Sequence, residues 1–114
     1  MIFDALYESA KRGELLLIDG GICHWHLRRD GQLTIREIIS TRPGAGSEML
    51  AHLVAVPGAA RIVAKCPARL LSNEWYRRKG FQCLRVEHTR TGTAINVWQF
   101  QLSTAPTATA DSQK

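Results

Sequence analysis

Residues 38–47 read Ile38-Ile39-Ser40-Thr41-Arg42-Pro43-Gly44-Ala45-Gly46-Ser47. The apolar start fits the end of a strand. The glycines after it open a helix whose core stripe is Met49, Leu50, Leu53 and Val54. A strand that turns through glycines directly into a helix presents consecutive main-chain N–H groups at the positive end of the helix dipole, which makes a phosphate cradle. Glycine suits such a turn because a side chain would hold an anion away from the amides. Arg42 adds a cation capable of charge-assisted contact. Alone, a Gly-x-Gly opening serves tight packing about as often as it serves phosphate.

Working outward, the segment before this turn predicts a meander. Residues 2–12 carry Ile2, Phe3, Leu6, Tyr7 and Ala10 at helical spacing, ended by Gly13. Leu15–Ile18, Ile22–Arg28 and Leu33–Ser40 read as strands, joined by the turns Asp19-Gly20-Gly21 and Asp30-Gly31. After the helix, Pro57-Gly58 is a stop and residues 60–66 form a short apolar strand fit for a buried parallel position. A second helix spans 70–79 with Gly80 at its C-cap, and residues 81–88 and 94–102 form a final hairpin around Thr91-Gly92. The expected fold is therefore α+β: an antiparallel meander followed by β-α-β-α-β-β, giving a mixed central sheet with helices on its faces. Residues 1–102 make one domain, and the polar stretch 103–114 reads as a disordered tail.

Composition narrows the function. The chain has 114 residues, with 15 Lys and Arg against 10 Asp and Glu, a net charge of +5. No apolar run approaches the roughly 18–20 residues of a membrane span, which argues against an integral membrane protein. The amphipathic, early-acidic N-terminus is unlike a secretory signal, so a cytoplasmic setting is expected. Cys23, Cys66 and Cys83 are odd in number and lack any Cys-x-x-Cys, which excludes a disulfide framework and a zinc knuckle. The positive balance favours polyanionic company, either a nucleic acid or a phosphate-bearing cofactor.

A second stretch decides between them. Asn73-Glu74-Trp75-Tyr76-Arg77-Arg78-Lys79-Gly80-Phe81 closes the second helix and begins the next strand. Together with Gly44-Ala45-Gly46 it resembles the GNAT superfamily of acyl-CoA-dependent N-acetyltransferases. That superfamily carries Gln/Arg-x-x-Gly-x-Gly/Ala at a helix start and a later Tyr followed by Gly-Phe. The resemblance spans roughly residues 14–102 and implies acetyl-CoA as cosubstrate and an amine, small or macromolecular, as acceptor. It implies that main-chain groups of Ile39 and Ser40 bind pantetheine. The amides of Arg42, Gly44, Ala45, Gly46 and Ser47 would hold the pyrophosphate. Tyr76 would protonate the leaving thiolate, and Asn73 would bind pantetheine or order its helix. Thr41 stands where the family has Gln or Arg, with Arg42 displaced by one, and Arg69 replaces an Asn seven residues before the Tyr. Only residues 1–14 precede the meander, where many members have a further strand and helix. An open acceptor groove, or one borrowing a wall from another subunit in a homodimer, is the expectation.

Glu37 is the candidate base. In Leu33, Ile35, Glu37, Ile39 it interrupts an apolar face, and burial there would suit it to take a proton from the amine. The competing reading is an ion pair with an arginine on a neighbouring strand. His24 and His26 share a strand face opposite Cys23 and Trp25. They read as ordinary sheet residues, and without a further ligand cluster no metal is expected. Arg28, Arg29, Arg77, Arg78 and Lys79 read as surface charge, or as contacts to the adenosine 3′-phosphate. Trp25, Trp75 and Trp98 read as packing. The alternative function is a basic nucleic-acid-binding or nucleic-acid-modifying protein of the same fold, of phage or prophage type.

Overall fold

The computed structural model describes residues 2–102, and of residues 2, 3, 5, 6 and 9 only the main chain. The tail expected over 103–114 lies outside the described residues. In chain order the elements are α1 (Ile2–Lys11), β1 (Leu15–Ile18), β2 (Gly21–Leu27), β3 (Gln32–Ser40) and α2 (Ala45–Val54). They continue with β4 (Arg61–Pro67), α3 (Ser72–Arg78), β5 (Gln82–His88) and β6 (Ala94–Gln101). One six-stranded sheet has the order β1-β2-β3-β4-β6-β5. The β3–β4 pair is parallel and the other pairs are antiparallel. This is the mixed sheet that the element order predicts.

One sheet face carries the main core. Cys23, Leu33, Ile35, Ile62, Ala64 and Trp98 meet Met49, Leu50 and Leu53 of α2 and Tyr76 of α3. Leu33 and Ile62 are wholly buried there. Each aliphatic side chain so buried contributes about 1.5–3 kcal/mol relative to leaving it in water. α1 packs against β1 and β2. Its Tyr7 is exposed rather than packed, with Lys11 Nζ 5.4 Å from the ring centroid.

Two irregularities place the functional region. The first is a bulge in β3: His24 pairs with Glu37 but Trp25 with Ile35, so Arg36 is the extra residue. A bulge reverses the alternation of side chains beyond it. Ile38, paired with buried Cys23, therefore joins Leu33 and Ile35 on the core side. Glu37 and Ile39 move to the opposite face. This corrects the expectation that Glu37 shares one apolar face with Leu33 and Ile35. The second is a splay: β3 and β4 pair from Gln32↔Arg61 to Ile35↔Ala64 and no further. β3 runs on to Ser40, while β4 stays zipped to β6 as far as Pro67↔Ile95. The two parallel strands thus part in a V.

The helix α3 is shorter than the expected 70–79. The side-chain Nδ2 of Asn73 donates to the carbonyls of Pro67, Ala68 and Leu70, at 2.9, 3.3 and 2.6 Å, and so holds residues 68–71 in a turn. Helix bonding starts only after it.

Candidate functional site

A crevice of about 480 Å³ opens over the V. Its walls come from the end of β3 (Ile38, Ser40), the turn into α2 (Arg42, Gly44, Gly46, Ser47) and α3 with its C-cap (Ser72, Trp75, Tyr76, Arg78, Lys79). The two stretches singled out in the sequence therefore face each other across one cleft.

The α2 turn supplies donors. Gly44 is the N-cap residue at φ 85°, a left-handed conformation that glycine adopts without the Cβ penalty. Among the described residues the amides of Arg42, Gly44, Gly46 and Ser47 donate to no protein acceptor. The Thr41 amide is used by the Gly20 carbonyl at 2.8 Å, and that of Ala45 by the Arg42 carbonyl at 3.1 Å. Ala45 thus leaves the expected set of phosphate donors: its N–H closes the turn itself. These four open donors lie in and just before the first turn of a ten-residue helix, where partial positive charge accumulates.

Gly46 has a further reason to lack a side chain. A Cβ there would stand 3.0 Å from Trp75 Nε1 and 3.1 Å from Cζ2. Close approach of α2 to the Trp75 indole is thus built on Gly46, and Trp75 forms crevice wall as well as packing. The sequence clue was its place beside Tyr76, but its partner 29 positions upstream gave no local signal.

Arg42 serves as a brace. Its Nε and Nη2 donate to the Asp19 carbonyl at 2.9 and 2.7 Å, and Nη2 also to Glu48 Oε1 at 2.9 Å. The guanidinium ties the phosphate-type turn to the β1–β2 turn, with part of its charge balanced by Glu48. Arg78 and Lys79 supply the other cations of the wall. Arg77 lies outside the crevice, paired with Glu74 and 5.7 Å from the Trp98 ring centroid.

Tyr76 is 6% exposed, set edge-on to Trp75 and Phe81 and stacked with Trp98. Its hydroxyl has no hydrogen-bond partner among the described residues. Burial pushes its pKa up to about 12, with the nearby Cys66 and Cys23 thiols acting in the same direction. The phenol therefore stays protonated throughout the neutral range. Cys66, on β4 at the V, lies 3.2 Å from the Ser72 hydroxyl.

Asn73 does not reach the crevice. Beyond its three carbonyl acceptors, its Oδ1 accepts from Asn96 Nδ2 at 3.0 Å and Trp98 Nε1 at 2.8 Å. Its amide is spent inside the protein, which removes it from the coenzyme-contacting residues and leaves it the task of ordering α3. Ser40 lines the crevice with its hydroxyl on the Arg42 carbonyl at 3.0 Å. Ile39 has its side chain on the other face, so only its main chain borders the V.

The remaining candidates lie on that other face. Glu37 is half-buried and makes no hydrogen bond or ion pair among the described residues, so the competing ion-pair reading is not what the structure shows. His26 Nδ1 sits 3.0 Å from Glu14 Oε2, and Arg12 Nε donates to Glu14 Oε1 at 2.9 Å. Burial raises the Glu14 pKa, but hydrogen bonds from Arg12 and His26 outweigh it and hold the carboxyl below its usual range. Among the described residues no group of three His, Cys, Asp or Glu is placed to hold a metal, and no helix is long and apolar enough to cross a membrane.

No protein-family model matches the sequence, and a search of curated proteins finds no match. Solved structures do match. A Desulfovibrio desulfuricans protein described as a GNAT-family acetyltransferase aligns over 74% of this chain at TM-score 0.66 and 17% identity. This chain spans 62% of that protein's length. A GNAT-family acetyltransferase from Bacillus cereus aligns over 89% of this chain and 79% of its own, at TM-score 0.74 and 13% identity. An aminoglycoside 6′-N-acetyltransferase, solved with coenzyme A, aligns over 82% of this chain and 73% of its own, at TM-score 0.67 and 10% identity. The chain has the fold of the GNAT acetyltransferases.

Proposed function

We propose that this protein transfers an acetyl group from acetyl-CoA to an amine. The observation that carries the reading is the sharing of one crevice by four main-chain amides and a buried phenol that have no hydrogen-bond partner among the described residues. The residues fit the coenzyme. The amides of Arg42, Gly44, Gly46 and Ser47 suit a diphosphate, with Arg78 and Lys79 as flanking cations. Beyond Ile35, the edge of β3 that has left β4 offers main-chain groups to the pantetheine amides near Ile39 and Ser40.

Acetyl-CoA bound there supplies an acyl group activated as a thioester. Tyr76 gives its proton to the departing sulfur; burial keeps the phenol protonated, so the proton is in place as the thiolate leaves. Glu37, on the other side of the splayed strand, takes the proton that the amine loses as its nitrogen bonds to the acyl carbon. Atoms balance: an N–C bond replaces a C–S bond, and one proton leaves the amine while another reaches the sulfur. The three thiols, all unpaired, support a reducing, cytoplasmic setting. A homodimer belongs to the same reading, and light scattering tests it. The nucleic-acid alternative gains no support from the site, because a thioester needs the buried phenol and a nucleic-acid backbone does not.

Thermal melts with acetyl-CoA, CoA and duplex DNA test the reading, followed by thiol release from acetyl-CoA across a panel of amines. Stabilisation by either coenzyme and amine-dependent release are expected. Stabilisation by DNA alone contradicts it.

A further inference from the structure

Strand β3 has two faces where it leaves β4, and the crevice occupies one of them. Ile38 and Ser40 line the crevice. Glu37 and Ile39 alternate with them and stand on the opposite face, at the edge of the same gap. The strand registers extend that face into two rows. Leu15, His24 and Glu37 are direct neighbours across β1, β2 and β3, and so are Leu17, Ile22 and Ile39. Side chains paired in this way stand about 5 Å apart.

The rows differ in chemistry. The second is aliphatic and open to solvent: Leu17 is 66% exposed and Ile39 47%. The first ends in polar groups at the gap. His24 is only 8% exposed, yet has no hydrogen-bond partner among the described residues. The charged groups around it are Arg36 and Glu37 of β3, and Arg12 and Glu14 from the segment between α1 and β1. Burial, helped by Arg36, lowers the His24 pKa, so the imidazole is neutral at neutral pH.

We propose that this shelf is the acceptor site and that it takes a primary amine carried on an apolar body. The amine nitrogen sits at Glu37, beside the gap through which the acyl group is reached. The apolar body lies along Leu17, Ile22 and Ile39. His24 is a positioning residue that backs Glu37 with an uncharged ring. The inference rests on the acyl-transfer reading and names its acceptor class. Three contiguous aliphatic side chains reward an apolar substituent and give a hydroxylated one nothing to bond.

The experiment uses the full chain, acetyl-CoA and two amines of equal length, hexylamine and 2-(2-aminoethoxy)ethanol, with thiol release as readout. Hexylamine is expected to have a kcat/KM at least about tenfold higher, the discrimination typical of apolar contacts. Leu17→Gln and Ile39→Gln, both at exposed positions, are each expected to raise the hexylamine KM roughly fivefold. The acetyl-CoA KM of Leu17→Gln stays at the wild-type value. His24→Gln is expected to lower kcat and to shift the acidic limb of its pH profile. Equal use of the two amines, or a hexylamine KM indifferent to both aliphatic variants, overturns the shelf while leaving acyl transfer intact. Thiol release that no amine increases overturns the acyl-transfer reading, and the acceptor assignment falls with it.

Discussion

Strands β3 and β4 behave differently at their two ends. From Gln32 to Ile35, β3 is zipped to residues 61–64 of β4, and Leu33, Ile35, Ile62 and Ala64 form part of the core. Past Ile35 the same strand leaves its partner, side chains alternate between a crevice and an open shelf, and the amides of Arg42, Gly44, Gly46 and Ser47 just beyond the strand donate to no acceptor among the described residues. The zipped half invests its hydrogen bonds and apolar area in stability. The splayed half withholds them, which costs stability and leaves chemistry for ligands. A single bulge at Arg36 separates the two regimes.

The contrast can be broken most severely from the zipped end. Ile62→Ala removes a fully buried side chain and is expected to cost about 2–5 kcal/mol in denaturant unfolding. Acetyl-CoA affinity of the folded fraction stays near wild type. An equal loss of affinity and stability would mean that the two halves are not separable.

The opposite result is expected at the splayed end. Tyr76→Phe removes the proposed proton donor but keeps the ring contacts with Trp75, Phe81 and Trp98, so kcat is expected to fall by about 100-fold while the melting temperature barely moves. Glu37→Gln is expected to lower turnover by about tenfold or more with little change in acetyl-CoA KM. Unchanged turnover would remove Glu37 from the mechanism.

The smallest effect concerns Glu14, which lies on neither half. Its carboxyl is held below the usual value of 4.5 by Arg12 and His26. The stability it contributes is complete above about pH 4.5 and is lost as pH falls through the lower, folded-state value. Glu14→Gln is expected to flatten that acid limb in pH-dependent melts. An unaltered acid limb would show that the cluster holds no such stability.

Much of this was legible in the residues. The order of elements follows from alternation, helical stripes and turn chemistry, and the facing of residues 42–47 and Tyr76 was implied by the resemblance to the GNAT superfamily. The bulge was not legible. Ile35, Ile38 and Ile39 are alike in hydrophobicity, so no pattern reports which two of them share a face, and Glu37 was assigned to the core side as a result. The internal duty of Asn73 was equally hidden, since its partners Asn96 and Trp98 come from a strand more than twenty residues away. Arg42 looked like a free cation because its anchors, the Asp19 carbonyl and Glu48, are a main-chain group and a surface carboxylate that many arginines never meet.

The central claim is that the open amides of the α2 turn grip the coenzyme's diphosphate. Amide NMR on the full chain titrated with CoA tests it most directly. The account predicts saturable shifts of the Arg42, Gly44, Gly46 and Ser47 N–H signals, with the already bonded amides of Thr41 and Ala45 moving less. Saturable binding that leaves those four signals in place, or no binding at all, would contradict it.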